Sequence, residues 1–282
     1  MRNNQDRLGT IAGGEEAPVQ QTEQSGHTLQ FVTPTEFVEL PSKGKFYPHG
    51  HPLHNVEVVE IRHMTAKDED ILTSRSLLKK GVAIDRFLQN VVVDQAIKVG
   101  DLLIGDKNAI IIASRITGYG AKYDVSISCP SCDSSVKFGF NLEECQAMPS
   151  GRYEETDARE TGNGTFVIHA DKIGVDVEVR LLTSRDEAYL LQLSEKKRRK
   201  KLPETTLTDQ FRRFIVSVDG YSDQNYIESF IQNMPASDSR KIRTIYQEII
   251  PNVDMNHDFA CSECGFEGEV GVPFGATFFW PQ

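Results

Sequence analysis

Apolar and polar positions along the chain change period several times, and the changes outline its elements. The run Glu60-Ile61-Arg62-His63-Met64 alternates in the manner of a half-buried strand, and Thr65 followed three residues later by Asp68 is a close relative of the capping box that opens a helix. Helical spacing continues through Ile71, Leu72, Leu77 and Leu78. The same grammar returns in Glu178-Val179-Arg180-Leu181-Leu182, with Thr183 and Asp186 as the capping pair and Tyr189, Leu190, Leu191 and Leu193 as the helical positions. The second block starts 118 positions after the first (178 minus 60), and Val91-Val92-Val93-Asp94 is loosely matched by Val216-Ser217-Val218-Asp219. Two readings are open: an internal duplication, or chance similarity between two strand-to-helix units. Between these landmarks, Ala109-Ile110-Ile111-Ile112 reads as a strand and residues 227–250 read as helical.

The flanks have a different texture. Residues 1–29 are rich in Gln, Glu, Gly, Ser and Asn, too polar to offset the entropy of ordering, and read as a flexible arm. The stretch Leu40-Pro41-Ser42-Lys43-Gly44-Lys45-Phe46-Tyr47-Pro48 reads as a loop, because its prolines and glycine block regular pairing; Phe46 and Tyr47 either pack internally or touch a partner.

Four of the five cysteines fall in two Cys-x-x-Cys pairs. Cys129 and Cys132 lie between the alternating runs 123–128 and 135–140, and Cys261 and Cys264 lie between 257–260 and 267–272, so each pair sits at the turn of a hairpin. A two-residue gap lets both sulfurs of a turn reach one ion while the turn amides donate to the thiolates. The residue after the second cysteine needs a left-handed backbone, which Gly265 adopts freely and Asp133 at modest cost. Together the pairs predict one structural Zn2+ per chain, closed to a fifth ligand and therefore unsuited to activating water. The rival reading, two separate redox dithiols, lacks the helix start that such a motif requires. Cys145 has no sequence partner and reads as a buried or incidental thiol.

Composition narrows the class. With 282 residues and 39% hydrophobic content the chain can bury a sizeable core without disulfides. Its polar opening predicts no secretory signal, and no apolar run is long enough to cross a bilayer, so a soluble protein of the cytoplasm is expected. A formal charge of -10 repels phosphate and disfavours general nucleic-acid binding. The block Glu195-Lys196-Lys197-Arg198-Arg199-Lys200-Lys201 is an exception, readable as an anion site or as a solvated helix end where cations favour the dipole. His49, His51 and His54 read as incidental loop histidines, and neither a phosphate-cradling glycine loop nor a nucleophile elbow is present. The ending at 274–281 holds the one tryptophan and three phenylalanines; Phe278, Phe279 and Trp280 either fill a partner pocket or fold back onto the chain's own sheet.

Three segments carry a family likeness. Glu39-Leu40-Pro41-Ser42-Lys43-Gly44-Lys45-Phe46-Tyr47-Pro48, Met64-Thr65-Ala66-Lys67-Asp68-Glu69-Asp70-Ile71-Leu72-Thr73-Ser74 and Pro273-Phe274-Gly275-Ala276-Thr277-Phe278-Phe279-Trp280-Pro281 resemble the baseplate hub assembly protein family of T4-like contractile-tailed bacteriophages. The resemblance spans residues 31–282 and implies a tail-assembly or virion role made by protein contacts, in the host cytoplasm or the tail baseplate, without a reaction. The expectation is therefore an α+β protein of two related strand-helix halves, 31–148 and 149–282, joined by a split four-cysteine zinc ribbon. Its partners are other hub or tail proteins, with no small-molecule substrate and no membrane. The alternative is a zinc-ribbon nucleic-acid-binding regulator.

Overall fold

A computed structural model of the protein describes residues 32–148, 156–274 and 278–279; the arm expected at 1–29 lies outside them. The chain begins with β1 (Thr35–Glu39) and β2 (Val58–Arg62), which pair antiparallel around the 40–57 loop. Three helices follow, α1 (Ala66–Thr73), α2 (Arg75–Lys80) and α3 (Ala83–Val91), then the long α4 (Ile104–Tyr119). A hairpin of β3 (Lys122–Ser128) and β4 (Ser135–Asn141) carries the first cysteine pair, and β5 (Ala147–Met148) closes this part. Next come β6 (Ala158–Glu160), β7 (Thr165–Ala170), β8 (Val175–Arg180), α5 (Ser184–Arg199), α6 (Thr206–Phe214) and β9 (Ile215–Val218). The strands of that stretch form a four-stranded antiparallel sheet in chain order. Helices α7 (Gln224–Asn233) and α8 (Ala236–Ile249) lead to β10 (Asn252–Val253), which pairs with β5, and to a last hairpin, β11 (Asn256–Ala260) and β12 (Glu267–Gly271), carrying the second cysteine pair. The fold is mixed α+β with several small sheets.

The two blocks that resemble each other in sequence share local geometry. Thr35 stands opposite Arg62 in the first hairpin, and Thr165 opposite Arg180 in the second. Arg62 donates both terminal nitrogens to Asp68 at 2.6 and 2.8 Å, and Arg180 does the same to Asp186 at 2.6 and 3.0 Å. Each Asp also accepts from the amide and hydroxyl of its capping threonine, Thr65 or Thr183, so one carboxylate fastens strand to helix start. A residue of a following helix completes each site: Asn90 at 2.6 Å from Asp68, Arg213 at 2.8 Å from Asp186. Burial alone would raise these carboxyls, yet the forked arginine and the capping bonds outweigh it and hold each at about 2.

One expectation needs correction, and one pair of open readings is narrowed. Residues 109–112 are not a strand: they lie inside α4 and all four are buried, so the unbroken apolar run marks a helix enclosed on several sides, which periodicity alone cannot separate from a strand. Phe46 and Tyr47 are buried, as the internal-packing reading has them. The Phe46 ring lies 5.3 Å from Phe166, while Tyr47 donates its hydroxyl to Asp106 at 2.8 Å and accepts from the Leu103 amide at 3.0 Å. Asp106 also takes the amide and hydroxyl of Ser42, at 2.9 and 2.6 Å, so a buried carboxylate in the first turn of α4 holds the 40–48 loop against the helix. Burial raises Asp106 against these bonds, and burial beside Asp106 holds the Tyr47 phenol protonated.

One continuous apolar core draws on residues from Val38 to Phe279. A small satellite cluster of Cys129, Phe259 and Cys261, backed by Ile127, Val136, Phe138, Phe266 and Val270, surrounds the cysteine turns. The basic block forms the last turn of α5 and its C-cap; Lys197 pairs with Asp209, and Arg199 with Glu195 at 3.2 Å.

Candidate metal centre

The two cysteine hairpins are built alike. In β3 and β4 the inward positions Tyr123, Val125, Ile127, Val136, Phe138 and Phe140 alternate with polar residues, as a strand with one covered face requires. At the turn, Cys129 donates its amide to the Ser134 carbonyl at 2.9 Å and Asp133 donates to the Cys129 carbonyl at 3.0 Å. The second turn repeats this, Cys261 to Phe266 at 2.8 Å and Gly265 to Cys261 at 3.0 Å. Asp133 and Gly265 both take positive φ, 56° and 71°, the left-handed position expected after the second cysteine.

Among the described residues no strand bonds join the two hairpins, and side chains bring them together. Phe138 meets Phe259 edge-on at 5.5 Å, Phe140 meets His257 at 5.1 Å, and His257 Nε2 lies 3.0 Å from the Asn141 carbonyl. The four sulfurs converge: Cys129 Sγ and Cys264 Sγ are 3.8 Å apart, Cys132 Sγ and Cys261 Sγ 3.9 Å, and all four lie within 4.8 Å of one another. A tetrahedral ion with metal–sulfur bonds of about 2.3 Å needs sulfurs about 3.8 Å apart, so the spacing fits a four-thiolate site. Cys129 and Cys261 are buried while Cys132 and Cys264 face solvent, which leaves the cluster at the edge of the satellite core.

The thiols already differ in acidity. Burial works against the Cys261 thiolate, but the Cys264 and Glu263 amides outweigh it and draw Cys261 down to about 6. Cys264 is drawn down by the Phe266 amide yet ends at about 12, because Cys132, burial and the remaining sulfurs favour its proton. Sulfurs packed this closely cannot all ionise without a shared cation. Cys145 stands apart from the cluster, half-buried against the main core and raised to about 11, chiefly by burial.

The aromatic ending folds inward. Phe278 and Phe279 are each 1% exposed, and their rings lie 5.1 Å from Tyr123 and 5.1 Å from Phe87 respectively. The partner-pocket reading of these two side chains gives way to the fold-back reading, because burying two large rings in the chain's own core is strongly favourable. Trp280 lies outside the described residues. Sequence reasoning missed what anchors the segment: Arg115, buried within α4, donates to the carbonyls of Phe278 and Gly120 at 2.8 Å each and of Lys122 at 3.3 Å. No short-range signal marks it, because α4 also carries Asp106, Lys107, Asn108 and Ser114 among its apolar residues.

The class the structure defines is a mixed α+β scaffold with four cysteines close enough to hold a metal ion. A family model described as T4 bacteriophage base plate protein matches residues 33–280, and the chain belongs to that family. No curated protein and no solved structure matches it. Among the described residues no helix is long and apolar enough to cross a membrane.

Proposed function

We propose that the chain is a non-enzymatic component or assembly factor of the phage baseplate hub, acting through contacts with other baseplate proteins. In this reading it is built of two related halves, and Cys129, Cys132, Cys261 and Cys264 clamp them through one structural zinc. The observation that carries the proposal is the convergence of four sulfurs from remote hairpins in a chain whose family is the phage base plate. Four thiolates saturate a divalent ion and leave a net charge of -2, so the centre would stabilise rather than react. Closing so long a loop also restrains the unfolded chain. The repeated Arg–Asp–Thr fastening supports the two-halves reading.

Mass spectrometry of purified tails and of hub assembly intermediates from infected cells tests the role. Presence in either supports it, with persistence in the finished tail marking a resident component and presence in intermediates alone marking an assembly factor. Absence from both would refute it.

A further inference from the structure

The hairpins β1–β2 and β7–β8 share one register but differ at their outer edges. β7 is flanked by β6, which sets Arg159 opposite Val167. β1 has β2 as its sole strand neighbour among the described residues. Bonds from Leu40 N to the Glu57 carbonyl and from His63 N to the Pro34 carbonyl, each 2.8 Å, show which side of β1 is used. Alternate residues of an antiparallel strand direct both backbone groups to the same side, so Thr35, Phe37 and Glu39 turn theirs outward. Such an edge is a template for another strand.

The side chains sharpen the case. Phe37 is 71% exposed and Val58, opposite the neighbouring Glu39, is 44% exposed. On the matching face of the second hairpin the surface is polar and internally satisfied, Glu178 accepting from Thr165 at 2.7 Å and Ser217 at 2.8 Å. Glu39 and Glu60 share the face of Phe37 and Val58, Glu36 and Glu57 lie on the opposite face, and none of the four has a salt-bridge partner among the described residues. A groove of about 420 Å³ lined by Glu39, Leu40, Pro41, Lys43, Gln146 and Ala147 opens at the end of β1.

We infer that the outer edge of β1 binds an extended strand of another baseplate protein, one carrying basic side chains around an apolar residue that covers Phe37. β6 supplies the geometry within this chain, and the four glutamates supply the charge preference. A second copy fits poorly, because β1 itself carries no basic residue to meet these glutamates across the ladder. The inference rests on the baseplate reading above.

Hydrogen exchange read by mass spectrometry, comparing the free chain with the chain in a purified assembly intermediate, tests it. The amides of Thr35, Phe37 and Glu39 should slow by about tenfold or more in the intermediate, while Val38 is already protected in the free chain. Phe37→Pro removes an outward N–H without breaking a bond to β2, so the variant should fold and keep its metal yet enter intermediates about tenfold less. Phe37→Lys, which keeps the backbone donor, should also be depleted. Wild-type chain present in intermediates with those amides exchanging at the free rate would overturn the edge proposal alone. Wild-type chain absent from intermediates and tails would overturn the baseplate reading with it. Protection that rises with concentration in the isolated chain would assign the edge to a second copy and contradict the partner named here.

Discussion

Cys129 Sγ and Cys264 Sγ sit 3.8 Å apart although 135 positions separate them in the chain. Neither hairpin could hold an ion alone, since each offers two sulfurs, and the aromatic contact of Phe138 with Phe259 brings the two turns together. The cluster is therefore a tertiary feature, and its loss should be felt well beyond the turns.

Replacing a cysteine of either turn should release the metal. Cys129→Ser and Cys261→Ser are expected to abolish stoichiometric zinc and lower the midpoint of thermal unfolding, whereas Cys145→Ser, remote from the cluster, keeps the metal. Metal analysis of the three purified variants checks this. Retention by both turn variants would show the ligand set to be wrong.

Asp68 and Asp186 should make stability depend on pH at the acid end. Each is lowered from 3.8 to about 2 in the folded chain, so its stabilisation is complete above about pH 4 and is lost as pH falls towards 2. The effect is on the order of 2 kcal/mol for each carboxylate. Denaturant unfolding from pH 5 to 2 should show a gap between wild type and Asp68→Asn/Asp186→Asn that closes with acid. The difference is the readout, because acid would also release any metal held by the cysteines. A gap independent of pH would contradict the assignment.

Tyr47→Phe should destabilise by roughly 1–3 kcal/mol, because it leaves the Leu103 amide without its acceptor and takes one of two donors from Asp106 Oδ2, which keeps Ser42 Oγ, in a buried site. Equilibrium unfolding measures it. An unchanged midpoint would mean that the loop is held by the Ser42 bonds alone.

Arg115→Met should cost on the order of 3 kcal/mol and loosen the 278–279 segment, since its carbonyl at Phe278 and those of Gly120 and Lys122 lose their donor. Limited proteolysis should then cut within 274–282 faster than in wild type. Unchanged cleavage there would place the anchor in the Phe278 and Phe279 rings instead.

Local rules with few alternatives were legible in the sequence. The capping pairs at Thr65 and Thr183, the knuckle spacing of the cysteines and the left-handed residues Asp133 and Gly265 each follow from short-range geometry, and the structure has them all. The basic block likewise ends a helix. What failed depends on burial, which no short window records. Residues 109–112 carry the composition of a strand but are enclosed as a helix, and composition alone left both readings of Phe46, Tyr47, Phe278 and Phe279 open where the structure buries all four. Arg115 and Asp106 were invisible for the same reason: their partners lie in segments up to 163 positions away.

Zinc K-edge X-ray absorption on the purified protein tests the central claim most directly. The account predicts about one zinc per chain with four sulfur neighbours at about 2.3 Å. A first shell containing nitrogen or oxygen, an iron centre in place of zinc, or cysteines free of any metal would contradict it.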